Sequence, residues 1–142
     1  MKGGVIKRFV LDASVAVSWC IEDESTTLSE RALDEITAGA EAIVPALWAF
    51  EVAHALLVAE RRNRIAMAQV VALLRRISQL PLTTISNDPR HVFGRVLPIA
   101  RQQGLTSYDA CYLELAIQYG IPLVTLDAQL RRSAKQAGVK LL

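Results

Sequence analysis

The stretch Val5-Ile6-Lys7-Arg8-Phe9-Val10-Leu11-Asp12-Ala13-Ser14 holds a short run of Val, Ile, Phe and Leu that stops at an acid. A run of that length and composition reads as a strand, and the residues after the acid, Ser14 to Ile21, read as a short helix. The same pattern returns along the chain. Leu28 to Ala38 carries apolar residues at 28, 32, 33 and 36, a helix closed by Gly39, which suits a left-handed cap. Ala42 to Val44 is a strand stopped by Pro45, Leu47 to Glu60 and Met67 to Ile77 are helices with Asn63 near the turn between them, and Leu82 to Ile85 is a third strand. Pro89 opens a helix to Gln103 that Pro98 is placed to kink. Tyr108 to Tyr119 is a helix ended by Gly120, Leu123 to Leu126 a buried strand, Ala128 to Ala137 a helix and Val139 to Leu142 a closing strand. Short apolar runs alternating with helical stretches predict an α/β fold, with helices packed on a mainly parallel sheet.

Working outward, 142 residues with 52% hydrophobic and 21% charged side chains predict one globular domain over residues 1–142 and exclude a disordered or collagen-like chain. The most apolar stretch, Ala46 to Ala59, contains Glu51 and His54 and falls short of the roughly 18 uninterrupted apolar residues of a membrane span. Lys2 leads straight into the first strand, without the apolar region and cleavage site of a signal peptide, so a cytoplasmic protein is expected. Cys20 and Cys111 lie far apart with no CxxC or Cys/His spacing and are expected as apolar filler. Net charge is +2, yet residues 1–60 carry 4 basic and 10 acidic side chains while residues 61–142 carry 12 basic and 4 acidic. A basic second half is a weak pointer to a phosphate-bearing partner, set against a merely solvated face.

Parallel sheets place ligands beyond the carboxyl ends of their strands. Asp12 and Asp127 both stand there, each between a strand and a helix, where the ordinary role of an acid is to cap the helix. Glu51 and Asp109 are harder to dismiss. Leu47, Ala55 and Val58 share the helix face of Glu51, and Leu105, Tyr112, Leu113 and Ala116 that of Asp109. An unpaired carboxylate turned into apolar surroundings costs several kcal/mol unless it is protonated, hydrogen-bonded or neutralised. Two such helices beside two strand-end acids suggest a shared cluster with a divalent cation as counter-charge, and oxygen-only donors favour Mg²⁺ or Mn²⁺ over zinc.

Other chemistries lack their residues. Gly3-Gly4 precedes the first strand instead of following it, so no phosphate loop forms, and no Gly-x-Ser-x-Gly elbow exists. His54, in an apolar helix, reads as a core side chain and His91 as a surface one, neither with an assigned partner. An aspartyl-phosphate phosphatase would need a second Asp where Ser14 stands, and a phospho-receiver domain would need a Lys that Leu123 to Asp127 lacks.

The order of Val10-Leu11-Asp12-Ala13-Ser14, Glu51-Val52-Ala53-His54-Ala55-Leu56, Leu105-Thr106-Ser107-Tyr108-Asp109-Ala110 and Leu123-Val124-Thr125-Leu126-Asp127 resembles the PIN-domain nucleases, and most closely the VapC toxins of toxin-antitoxin pairs. The resemblance implies a three-layer α/β/α sandwich and a metal-dependent endoribonuclease, the toxin of a type II toxin-antitoxin system. It implies Asp12, Glu51, Asp109 and Asp127 as catalytic and metal-binding residues for Mg²⁺ or Mn²⁺, with Ser14, Thr106 and Thr125 at positions where the family often carries a small hydroxyl. It further implies RNA as substrate, an antitoxin partner and a homodimer, the last in keeping with the many apolar residues of the helices 47–60 and 67–77. Readings from other classes are a catalytically silent RNA- or partner-binding module and a metal phosphohydrolase. Glu114 departs from the pattern, and five positions after Asp109 it points about 140° away on an ideal helix. Arg61, Arg62, Arg64, Arg75, Arg76, Arg131, Arg132 and Lys135 are candidate phosphate contacts.

Overall fold

The computed structural model describes residues 7–21 and 24–142. Lys2, Gly3-Gly4 and the first two residues of the Val5 to Leu11 run lie outside them. Four strands, β1 (Arg8–Leu11), β2 (Glu41–Pro45), β3 (Leu82–Ile85) and β4 (Leu123–Val124), form a sheet in the order β3-β2-β1-β4. Every pairing is parallel, with Val10 opposite Ile43 on one side and Leu123 on the other. Phe9, Val10 and Leu11 are fully buried, as expected of a central strand covered on both faces.

The connections fix the layers. From β1 the chain runs through α1 (Ala13–Cys20) and α2 (Thr27–Thr37) to β2, and through α3 (Leu47–Arg61) and α4 (Met67–Ile77) to β3, stepping in one direction across the sheet. It then returns through α5 (Pro89–His91), a π-helical segment (Val92–Val96), α6 (Leu97–Gln103) and α7 (Ser107–Tyr119) to β4, on the far side of β1. Right-handed crossovers stepping in opposite directions lay their helices on opposite faces, which yields the three-layer α/β/α sandwich. α8 (Ala128–Gln136) follows β4. The strand order reverses between β1 and β4, so the crevice beyond their carboxyl ends is the place where a parallel sheet opens to a ligand.

Tyr112, Phe9, Leu11, Ile43, Leu56 and Leu113 are among the largest fully buried side chains of the described residues, and one continuous core joins the sheet to α1, α3, α7 and α8. Truncating such a residue, Phe9→Ala for example, removes its burial and leaves a cavity, at a cost of about 3–5 kcal/mol. Cys20 and Cys111 are free and buried, as filler should be. No helix among the described residues is long and apolar enough to cross a membrane.

Four elements differ from the sequence reading. Pro45 is the last residue of β2 instead of its stop, tolerated because a strand's end tolerates a missing N–H. The strand expected over Leu123 to Leu126 ends at Val124, since the next amides leave the ladder: the Leu126 N–H donates to Ser14 Oγ and the Asp127 N–H to Thr125 Oγ1, both at 3.1 Å. The closing strand is reduced to a parallel bridge between Leu123 and Leu141, because a two-residue β4 offers little edge to extend. Pro98 produces a wide turn, in which the Leu97 N–H bonds the Val92 carbonyl five residues back. That π-helical turn just before the proline accommodates a ring that cannot donate to the carbonyl of Gly94.

Candidate active site

Asp12 sits where β1 gives way to α1, at the reversal of strand order. Its backbone occupies the N-cap position, but its side chain makes no capping bond. Instead Ser14 Oγ, at 2.6 Å, and Thr125 Oγ1, at 2.7 Å, both donate to its Oδ2. The direction of those bonds is fixed by the backbone. Each hydroxyl already accepts an N–H, from Leu126 and from Asp127, so its own proton is directed to Asp12. The early end of β4 and the orientation of this carboxylate therefore have one cause. Asp12 is only 6% exposed, and burial drives its pKa above the ordinary 3.8, opposed by Ser14, Thr125 and the Ala13 N–H and reinforced by the charge of Asp127.

Glu51 lies in the second turn of α3, half-buried, with Oε1 accepting the phenolic proton of Tyr112 from α7. Burial raises its pKa above 4.5; the Tyr112 bond works against that shift, and the charges of Asp12 and Asp109 add to it. Asp109 stands in the first turn of α7, also half-buried, with its pKa raised by burial and by the charges of Asp12 and Asp127. Asp127 is exposed and caps α8, accepting the Leu130 N–H at 2.9 Å, so the capping role expected of a strand-end acid applies to it and not to Asp12. Thr106 caps α7 by accepting the Asp109 N–H at 3.1 Å; it holds that residue's backbone, while Ser14 and Thr125 hold a carboxylate.

The four acids thus form a connected set of like charges on the ends of two strands and the flanks of two helices. Among the described residues no Lys, Arg or His ion-pairs with any of them. Ser14 and Glu51 also line a cleft bordered by Ser18, Thr26 and Leu126. As the side chains stand, no three His, Cys, Asp or Glu residues among those described converge tightly enough to enclose an ion by themselves. An all-oxygen donor set with uncompensated negative charge nonetheless fits Mg²⁺ or Mn²⁺, since Mg²⁺ is commonly held by one or two carboxylates, with water and substrate phosphate completing its shell.

The histidines exchange the places expected of them. His54 is exposed, whereas His91 is partly buried and its Nε2 meets Oε2 of the buried Glu114 at 2.8 Å. Arg95 Nε approaches the other Glu114 oxygen at 3.8 Å. Glu114 therefore joins α7 to the helical run after Pro89, away from the acidic cluster, as its helix position requires. Tyr112, which the sequence places only on the apolar face of Asp109, is a further member of the cluster. Its signal was present: a phenol three positions after Asp109, on a face otherwise apolar, must find a polar partner. Arg131 is spent locally, donating from Nη1 to the Thr125 carbonyl at 3.1 Å.

Comparison with known proteins extends over nearly the whole chain. The family model described as PIN domain matches residues 9–136. Ribonuclease VapC3 of Pyrobaculum aerophilum is 28% identical over 123 residues, covering 87% of this chain and 92% of that protein. The crystal structure of PAE2754 from Pyrobaculum aerophilum superposes with a TM-score of 0.65 at 23% identity, covering 90% of this chain and 86% of the other. A toxin-antitoxin complex from Klebsiella pneumoniae includes a chain that superposes at 0.55 with 15% identity, covering 84% of this chain and 86% of its own. Since the matched span takes in Asp12, Glu51, Asp109 and Asp127 along with β2, β3, β4 and all of β1 but Arg8, the chain belongs to the PIN domain family.

Proposed function

We propose that this protein is a Mg²⁺- or Mn²⁺-dependent endoribonuclease, the toxin of a type II toxin-antitoxin pair, with Asp12, Glu51, Asp109 and Asp127 as its catalytic and metal-binding residues. The observation that carries the reading is Asp12: a buried carboxylate oriented by two hydroxyls, within the field of other acids and without a basic partner among the described residues. Family membership and the ribonuclease name of a relative support it.

A bound divalent cation would supply the counter-charge, activate water and screen the scissile phosphate. The chain's residues do the rest. Asp12, with Oδ2 fixed from two sides, is the rigid anchor of the ligand set, and Ser14 and Thr125 keep it from turning away. Glu51 and Asp109, half-open to solvent, are reachable by the attacking water and can accept its proton at a carboxylate oxygen. Asp127 adds charge at the outer rim while capping α8. Exposed Arg61, Arg62, Arg75, Arg76, Arg132 and Lys135 are available to neighbouring phosphates of an RNA chain. Exposed Phe50, Met67 and Val71 on α3 and α4 supply apolar area for a second copy. The Klebsiella structure of similar fold is a toxin-antitoxin complex, which supports an antitoxin as partner; an enzyme of this kind acting on RNA works in the cytoplasm.

Purified protein incubated with single-stranded RNA tests the reading. Cleavage is expected in millimolar Mg²⁺ or Mn²⁺ and not in chelator, with a fall of orders of magnitude in D12N, E51Q, D109N and D127N. No cleavage under any condition would make the chain a binding module, and turnover confined to small phosphate esters would make it a phosphohydrolase. Light scattering at micromolar concentration is expected to report a dimer; a strict monomer would refute that part.

A further inference from the structure

Tyr112 is fully buried in the core, yet its hydroxyl emerges at the acidic cluster and donates to Glu51 Oε1. It stands three residues after Asp109, on the same face of α7, so one helix presents both a carboxylate and the group that grips the carboxylate of its neighbour. Among the described residues this is the only side-chain hydrogen bond joining α3 to α7, the two helices that bring Glu51 and Asp109 to the site. A phenol has one proton to give, and all of it goes to Oε1. Oε2 makes no hydrogen bond among the described residues and is not sealed from solvent, in a side chain that borders the cleft with Ser14.

We propose that Tyr112 is a positioning residue: by holding Glu51 Oε1 it leaves Oε2 as the one oxygen of that carboxylate free to ligate, and sets its orientation relative to Asp12 and Asp109. This rests on the metal-dependent reading above. A glutamate on a helix flank has several rotamers, most of which point its carboxylate elsewhere, and ordering it costs affinity when a cation binds. A core tyrosine anchored by its ring removes that cost beforehand. Hydrogen bonds to metal-ligating carboxylates characteristically change affinity by about 10–100-fold when lost.

The test is calorimetric titration of the full chain with Mn²⁺ at one fixed pH, for wild type, Y112F, E51Q and the double variant, with Tyr119→Phe on the same helix as control. Y112F removes one oxygen, keeps the ring, and leaves Glu51 able to meet water, so melting in chelator is expected to show a folded protein. Mn²⁺ affinity is expected to fall at least about tenfold in Y112F and to stay unchanged in Tyr119→Phe. In the E51Q background Y112F is expected to have no further effect, since the group it positions is gone. A structural tyrosine would lower the melting temperature in chelator while leaving Mn²⁺ affinity as in wild type, and that result overturns the proposal, as does an equal effect of Y112F with and without Glu51. The same question can be put with Tyr112 intact. Glu51→Asp withdraws the carboxylate by one methylene while keeping its charge; it is expected to lose affinity, with Y112F adding nothing to it, and wild-type affinity would count against the proposal. If wild type itself binds no Mn²⁺, the metal-dependent reading fails, an outcome distinct from equal binding by wild type and Y112F.

Discussion

Asp12 shows how a single residue is held in a state that water would not favour. Its carboxylate is nearly dry, its pKa is driven upward by burial, and two hydroxyls whose own acceptor sites are filled by backbone amides restrain that rise. Glu51 and Asp109 are shifted in the same direction, by burial first and by neighbouring acids after it. The consequence for stability has a definite sign. In the unfolded chain these groups return to ordinary values of 3.8 and 4.5, so above them the folded protein retains protons that the unfolded chain has released. Their contribution is most favourable below the ordinary values and is lost as pH rises through the raised ones. Scanning calorimetry in chelator should therefore record a melting temperature that rises as pH is lowered through the raised pKa values toward the ordinary carboxylate range, with a smaller rise in D109N. An identical pH dependence in both proteins would show that Asp109 is not part of the coupled set.

At the scale of elements, what the sequence revealed depended on whether the governing contact was local. α4 and β3 fall where periodicity and breakers place them, because an apolar stripe and a bounding turn lie within their own residues. The end of β4 was not legible in that way: Thr125 and Leu126 look like strand, yet their path is set by Ser14 and Asp12, more than a hundred residues earlier. Glu51 and Asp109 stand out in the sequence as carboxylates on apolar helix faces and Asp12 and Asp127 as strand-end acids, whereas Tyr112 and the His91–Glu114 pair join separate helices and needed the fold to bring them together. That pair makes a further prediction. Among the described residues His91 gives Glu114 its one hydrogen bond, while Oε1 of Glu114 is buried without one and has Arg95 at a longer distance. Removing His91 strands a buried carboxylate, so His91→Ala should cost about 1–3 kcal/mol. Glu114→Leu removes the polar group itself at similar volume and should be within about 1 kcal/mol of wild type, or stabilising. Urea unfolding midpoints decide it. A larger loss in Glu114→Leu than in His91→Ala would mean that the carboxylate has a partner of greater weight than the histidine.

For the molecule as a whole, the sheet order explains why four acids from distant parts of the chain lie within reach of one another's charge at one end of the sheet. β1 and β4 are neighbours at the point where the crossovers reverse, α3 and α7 come from opposite layers, and the like charges so assembled have no basic partner among the described residues. On the proposed metal-dependent reading, a fold that gathers such charges is strained without a cation and relieved by one. The most direct measurement is a set of thermal melts of wild type and D109N, each in chelator and in millimolar Mn²⁺. In chelator D109N should be as stable as wild type or more so, since it removes one repelling charge. Mn²⁺ should stabilise wild type by RT ln(1 + [Mn²⁺]/Kd), about 2.7 kcal/mol when free metal is about 100 times Kd, and D109N by distinctly less. Equal metal-induced shifts in the two proteins, or a loss of about 1–3 kcal/mol in D109N with and without metal alike, would contradict the account and leave Asp109 a structural hydrogen-bond acceptor.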